Sequence, residues 1–535
     1  MILAHLYPIL YATYPVVALL AANLGEIPMS MAGRSLAVAG VAGLGLTLLL
    51  SVVVRSREKG SLLAVGFIML FVSYGQVYDQ IEGLSVGVVS IGRHRYLLAV
   101  WGLAAVGWVV WGMRRREVPR GLRLGLQAAG VALVVLPLLT IARYGLAGIG
   151  TVSRSEEHVL QVSTTALGPE EHPDIFYIIL DGYGRSDVLR ELYRVDNTGF
   201  LEFLESRGFY VADRSWSNYS QTLPSLASSL NMEYINALAA RQASNSRDFR
   251  PLVELVDHSA VRRTFESLGY QFVAFETGYT LTEIKDAALY LAPRYDTFQE
   301  RPSLFSALRL NEFEGMLLNS TLIRAAAEYY TREQENLRGL TDFLYQKHRI
   351  RVVFTLESLG EIAAMPGRYF VFAHVISPHP PFVFGGLGEE IPNFETYSMQ
   401  DNGCCPRDIY LQRYADQVIY VSKLVEQTVE DILTNSDTLP IIIIQADHGP
   451  GAYINSQSPF DSNMRERLSI LNAYLVPDSV KTLLYPSISP VNSFRALLAG
   501  YFGQSLDLLP DESYFSPGGH PYNLRRVTDS LRVLP

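Results

Sequence analysis

Through the first 150 residues, apolar positions run together and do not alternate with polar ones as they would on a surface helix or strand. Five such stretches, over 6–25, 35–54, 61–80, 96–113 and 122–142, each approach the roughly 20 residues that a helix needs to cross a bilayer. The loops between them differ in charge. Arg55, Arg57 and Lys59 follow the second stretch, and Arg114, Arg115, Arg116, Arg120 and Arg123 lie between the fourth and fifth; the other two loops hold Arg34, Arg93 and Arg95. Lys and Arg collect on cytoplasmic loops. The bias therefore predicts a multi-pass plasma-membrane protein with a cytoplasmic N-terminus, whose chain leaves a fifth span on the outer face. The first stretch lacks the basic flank of a signal peptide and four more follow it, so it reads as a span. Trp101, Trp108 and Trp111 mark membrane interfaces or pack in lipid, and Asp79 and Glu82 end the third span at the surface.

Beyond the fifth stretch the pattern changes. Residues 144–172 are polar and without a period, as in a linker. The expected organisation is a transmembrane domain over 1–145, a linker over 146–172 and an extracytoplasmic catalytic domain over 173–535. In the last part short apolar runs alternate with amphipathic helical stretches, which predicts an α/β fold with a largely parallel central sheet. Four runs read as strands: Ile175–Leu180, Phe272–Phe275, Tyr369–Ile376 and Ile441–Gln445. The helical stretch 303–348 reads as an insertion packed on that sheet.

Charge sharpens the division. Residues 1–150 hold 12 basic and 5 acidic side chains, a net of +7, and the remaining 385 carry a net of −16. No basic stripe is available to displace counterions from a polyanion, so no nucleic-acid partner is expected. The two cysteines, Cys404 and Cys405, are adjacent and give no disulfide framework.

In open parallel sheets, ligands bind beyond the carboxyl ends of the strands. Here Ile175–Leu180 runs into Asp181, Tyr369–Ile376 leads through His374 to Ser377-Pro378-His379-Pro380, and Ile441–Gln445 leads to Asp447-His448-Gly449. A lone strand-terminal aspartate is ordinarily a turn or cap. Oxygen and nitrogen donors together suit zinc, manganese or magnesium. A further segment reads Thr222-Leu223-Pro224-Ser225, with Pro224 fit for the first turn of a helix and Thr222 at or just before its N-terminus. A threonine there is ordinarily an N-cap; beside a metal it becomes a nucleophile for a phosphoryl centre. Arg465 and Arg467 reach phosphate or pair with Glu466 and its neighbours at the surface.

Asp181 after the first catalytic-domain strand, Thr222-Leu223-Pro224-Ser225 and Ala446-Asp447-His448-Gly449 occur in an order that resembles the alkaline phosphatase/sulfatase superfamily. That superfamily includes phosphoethanolamine transferases and lipoteichoic acid synthases, and the five-span layout resembles the latter. The resemblance implies one divalent ion (manganese, zinc or magnesium) held by Asp181, Thr222, Asp447 and His448, with Thr222 as nucleophile. It also implies that His379, and with it His374, holds the anionic group or proton of the substrate. Thr222 stands where sulfatases carry the first residue of Cys-x-Pro-Ser-Arg, and a threonine cannot give their aldehyde. Leu226 replaces the arginine, and Gly182 follows Asp181 where a second acid is usual. The Asp-x-x-x-His pair of two-zinc phosphatases is absent, leaving a distant residue such as His520 for any second ion.

The expected function is a metal-dependent phosphotransferase or phosphodiesterase acting on a membrane phospholipid or envelope glycan substrate. Tethering the site to a membrane raises the effective concentration of lipid donors. The competing readings are a sulfatase-like hydrolase and a catalytically silent, anion-binding membrane protein.

Overall fold

The computed structural model describes residues 6–24, 29–81, 85–86, 89–90, 93–150, 172–295, 310–326, 340–391, 397, 399–401 and 404–532. They form two compact units, one of Met1–Ser153 with Glu300–Leu344 and one of Arg154–Gln299 with Tyr345–Pro535.

The first unit is built on α1 (Pro8–Ala22), α2 (Gly33–Val53), α3 (Arg57–Ile81), α4 (His94–Arg114) and α5 (Arg120–Gly150). Helices spanning Met29–Val53, Arg57–Ile81, His94–Arg114 and Arg120–Gly145 are long and apolar enough to cross a membrane. The expected first span is shorter. At 15 residues, α1 reaches about 22 Å, against a hydrocarbon core of roughly 30 Å. It packs into the bundle all the same: Tyr7 and Tyr11 lie against Val65 and Ile68 of α3. The indoles of Trp101 and Trp108 donate to the carbonyls of Leu70 and Leu62, at 2.8 and 3.3 Å, so they tie α4 to α3. Helix α5 continues to Gly150, into the expected linker, whose residues 151–171 lie outside the described ones.

Residues 310–326 correct an expectation. They belong to the membrane-helix unit and not to the sheet. A capping box of Asn311 and Glu314 starts α6 (Glu312–Asn319), which buries Phe313 with Val16, Leu20 and Ala32. Its backbone is stitched to α3, Gly75 N–H donating to Ser320 O at 3.1 Å and Leu322 N–H to Phe71 O at 2.9 Å. Glu314 pairs with Arg34, and Arg324 pairs with Asp79 while stacking on Tyr78; Glu82 lies outside the described residues. Among the described residues of 303–348, those from Tyr345 onward belong to the sheet unit, and Tyr345 joins its core.

The second unit is centred on a seven-stranded sheet. In chain order its strands are β1 (Ile175–Leu180), β2 (Tyr210–Val211), β3 (Gln271–Phe275), β4 (Leu289–Leu291), β5 (Tyr369–Val375), β6 (Ile441–Gln445) and β7 (Asn472–Leu475). The spatial order is β2-β7-β6-β1-β5-β3-β4; β6 to β4 are parallel, while β7 runs antiparallel to both β6 and β2. Strand β1 is buried throughout because both faces are covered. Phe176, Ile178 and Leu180 point into one core with Leu356 and Leu359 of α7 (Leu340–Ala363) and Val418, Val421 and Val425 of α8 (Arg407–Asn435). Ile175, Tyr177 and Ile179 point into the other, with Leu223 and Leu226 from the helix at Thr222–Asn231 and with Phe265 and Phe494. The chemical residues sit beyond the carboxyl ends of the adjacent strands β6, β1 and β5.

Candidate active site

Asp181 is the first residue past β1. Its N–H donates to Val375 O and its carbonyl accepts from His379 N–H, both at 2.9 Å, so the backbone is pinned between β5 and the loop that follows it. Gly182 then adopts φ +73° and donates its N–H to Asp447 Oδ1 at 3.2 Å. A side chain at this left-handed position would be strained, which accounts for the glycine here.

Asp447 and His448 follow β6 and are buried. The Asp447 carbonyl accepts from the hydroxyls of Ser217 and Ser225, the latter at 2.7 Å, so the serine of the Thr-x-Pro-Ser segment ties its helix to the Asp-His-Gly loop. His448 Nδ1 lies 2.9 Å from Gly449 O, an arrangement that places the ring proton there and leaves a lone pair on Nε2. That nitrogen is 3.1 Å from Thr222 Oγ1, 3.2 Å from Asp447 Oδ2 and 3.7 Å from Asp181 Oδ1. Gly449 has no alternative, because a Cβ would collide with the Glu466 carbonyl oxygen.

Thr222 is the first residue of its helix and Gln221 the N-cap. The Gln221 amide donates to Ser516 O at 2.7 Å and Pro517 O at 3.1 Å. The Thr222 hydroxyl is thus turned toward His448 and does not cap the helix.

The histidines after and within β5 diverge. His374 contacts Asp181 Oδ2 through Nε2 at 3.2 Å and Thr282 Oγ1 through Nδ1 at 2.9 Å. His379 directs Nδ1 to Pro380 O at 2.6 Å and Nε2 to Asp401 Oδ1 at 3.2 Å. The two arginines divide as well. Arg465 pairs with Asp187 and Glu191. Arg467 enters the site, with Nη1 2.8 Å from Asp401 Oδ2 and Nη2 3.1 Å from His448 Nε2. Asp401 escaped the sequence reading: it lies in an irregular loop ahead of α8, without period or motif. On the same loop Cys404 and Cys405 hold their sulfurs 3.0 Å apart.

Burial alone would raise the Asp181 carboxyl, but His379, His374 and His448 outweigh it and hold the group well below the usual carboxylate range. Burial likewise works against a charged His379, yet Asp181 and Asp401 push its pKa up to about 9. Burial, with Arg467 beside it, lowers His448, in keeping with a neutral ring. Asp181 Oδ1 and Asp447 Oδ2 are buried without a hydrogen-bond partner. Unpaired buried carboxylate oxygens are costly, and a bound cation satisfies them. Ligand atoms of Asp181, His379 and His448, and separately of Asp181, His374 and Asp447, lie within 4.8 Å of one another. His520 joins neither set among the described residues. The donor set, carboxylates with a neutral imidazole and a hydroxyl, fits a divalent ion.

No protein-family model and no curated protein sequence matches the chain. Solved structures do. One is the C-terminal periplasmic domain of EcEptC from Escherichia coli, 10% identical, covering 68% of this chain and 94% of that one at a TM-score of 0.40; its zinc complex is matched at 0.39. Another is the integral membrane lipooligosaccharide phosphoethanolamine transferase A from Neisseria meningitidis, 11% identical over 92% of this chain and 93% of that one, with a TM-score of 0.38. BT1596, a 2-O GAG sulfatase, is 13% identical over 66% of this chain and 74% of that one, also at 0.38.

Proposed function

We propose that the chain is a metal-dependent phosphotransferase or phosphodiesterase that acts on phospholipid headgroups or cell-envelope phosphodiesters through Thr222. The observation that carries the reading is the 3.1 Å approach of Thr222 Oγ1 to His448 Nε2, beside two buried carboxylates with unpaired oxygens. In this reading Asp181, Thr222, Asp447 and His448 hold one divalent ion. Manganese, zinc or magnesium bound there lowers the pKa of the threonine hydroxyl and offsets phosphoryl charge.

Thr222 Oγ1 gives its proton to water in the site and attacks phosphorus. The bond from phosphorus to the leaving oxygen breaks, and a phosphothreonine remains. Free amides in the first turn of the Thr222–Asn231 helix favour the anion at that place. The imidazole of His379 and the guanidinium of Arg467, both held by Asp401, offset charge on the phosphoryl oxygens, and the leaving oxygen takes its proton from water. A sugar or polymer hydroxyl, or water, then attacks phosphorus; the phosphorus–Oγ1 bond breaks, and the proton lost by the incoming oxygen is returned to Thr222 Oγ1. Both ring nitrogens of His374 are engaged within the fold, which favours orienting Asp181 over touching substrate. The loop charges favour a cytoplasmic N-terminus, with α1 as a fifth, short crossing and the catalytic unit outside.

The test is turnover by the full chain in detergent, with each of the three ions, on a phosphodiester, a phosphomonoester and a sulfate ester. Phosphodiester turnover is expected to fall roughly 10³-fold or more in Thr222→Ala. Retained turnover would sink the threonine mechanism. Sulfate-ester turnover would favour the sulfatase reading, and metal uptake without turnover the silent one.

A further inference from the structure

The Asp401 carboxylate is held between two cations. Oδ1 lies 3.2 Å from His379 Nε2, and Oδ2 lies 2.8 Å from Arg467 Nη1. Each cation has anchors of its own. His379 is fixed through Nδ1 to Pro380 O, and Arg467 donates to Ser220 O at 2.7 Å and Gly449 O at 3.1 Å besides reaching His448. Asp401 is therefore where the loop after β5 and the segment after the Asp-His-Gly motif are joined through side chains. The place is tightly filled: a Cβ on Gly451 would stand 2.7 Å from that of Asp401, and Tyr410 Oη lies 3.5 Å from its Oδ1 while accepting the Gly451 N–H at 3.1 Å.

We propose that Asp401 is a positioning residue, whose single carboxylate fixes the imidazole of His379 and the guanidinium of Arg467 relative to each other and to the Asp181–Asp447–His448 set. The inference rests on the phosphoryl-transfer reading above. Electrostatics supplies the argument. A carboxylate beside a phosphate site repels the substrate, so a site tuned for anion affinity alone would not carry one there. Its contribution is orientation, and a displacement of about 1 Å at a reacting group costs about 10²-fold in rate. Removing it should leave binding intact or tighter while slowing the chemistry.

The wild-type chain in detergent, loaded with metal, is compared with Asp401→Asn, Asp401→Ala and Asp401→Glu. The nearly isosteric Asn variant carries the test if Ala fails to fold. Asp401→Asn is expected to keep or lower KM for a phosphodiester and to reduce kcat by about 10²-fold, with Asp401→Glu recovering part of the loss. An unchanged kcat overturns the proposal, whether KM falls, as loss of a repelling charge alone would give, or rises, as loss of a binding contact would. A second readout needs no turnover. Diethyl pyrocarbonate labelling of His379, followed by mass spectrometry, should be slow in the wild type, where both ring nitrogens are engaged, and faster in the Asn and Ala variants. Equal labelling rates overturn the proposal. Faster labelling in a protein that turns over no phosphodiester leaves the positioning role standing and removes the phosphoryl-transfer reading.

Discussion

Glu466 lies between Arg465 and Arg467 in the chain, yet the three side chains part company. Consecutive residues of a helix point about 100° apart and do not pair with one another. Arg465 therefore meets Asp187 and Glu191, Arg467 reaches Asp401 in the candidate site, and Glu466 is buried, taking hydrogen bonds from the Tyr193 hydroxyl and the Tyr453 N–H. Surface pairing of Arg465 and Arg467 with Glu466, readable from their adjacency, is not what the helix allows. Burial raises the Glu466 carboxyl from 4.5 to about 7. The sign follows from a folded-state pKa above the unfolded one: the stabilisation is whole below pH 4.5 and is lost as pH rises through about 7. A shift of that size corresponds to about 3 kcal/mol. Glu466→Gln keeps the neutral shape at every pH. Its melting temperature should therefore match the wild type near pH 5 and exceed it at pH 8, and parallel melting curves across that range would refute the assignment.

Elements explain which residues were legible. Asp181, Asp447 and His448 could be found because apolar runs announce the central strands and parallel sheets gather chemistry at their carboxyl ends. Thr222 was marked by Pro224 in the first turn. The flanking strands Tyr210–Val211, Leu289–Leu291 and Asn472–Leu475 went unread, since two to four residues carry too little alternation to stand out. Asp401 had no element to announce it. The turn after β6 offers a test of how firmly an element sets the site. Gly449 receives the His448 Nδ1 contact on its carbonyl, donates its N–H to Arg467 O at 2.7 Å, and has no room for a Cβ against Glu466 O. Gly449→Ala must open this turn and release the bond that orients the imidazole. Divalent-ion affinity, measured by calorimetry on the full chain, should drop about 10–100-fold, the usual cost of losing a bond that orients a metal ligand. Unchanged affinity would mean that the turn does not set the ligand geometry.

At the scale of the molecule, the chain leaves the sheet-containing unit after residue 299 and returns to it at 345, and the excursion belongs to the membrane-helix unit. Amphipathic spacing announces a buried face without naming its partner, so a stretch read as sheet-packed proved to pack on α1 and α3. This bears on where the protein can be cut. A fragment of residues 172–535 keeps the whole candidate site but carries 310–326 without Val16, Leu20 and Ala32, against which Phe313 is fully buried. Exposing one such side chain costs about 1.5–3 kcal/mol, and Glu314 and Arg324 lose Arg34 and Asp79 at the same time. An exposed apolar face of this kind invites association. The fragment should therefore elute as aggregates or require detergent, whereas the same fragment with 310–326 replaced by a Gly/Ser segment of equal length should run as a monomer. Both should take up the same divalent ion, because none of Asp181, Thr222, Asp447 and His448 lies in the excursion. A monomeric, detergent-free parent fragment in size-exclusion chromatography would show that the sheet-containing unit can cover this face by itself.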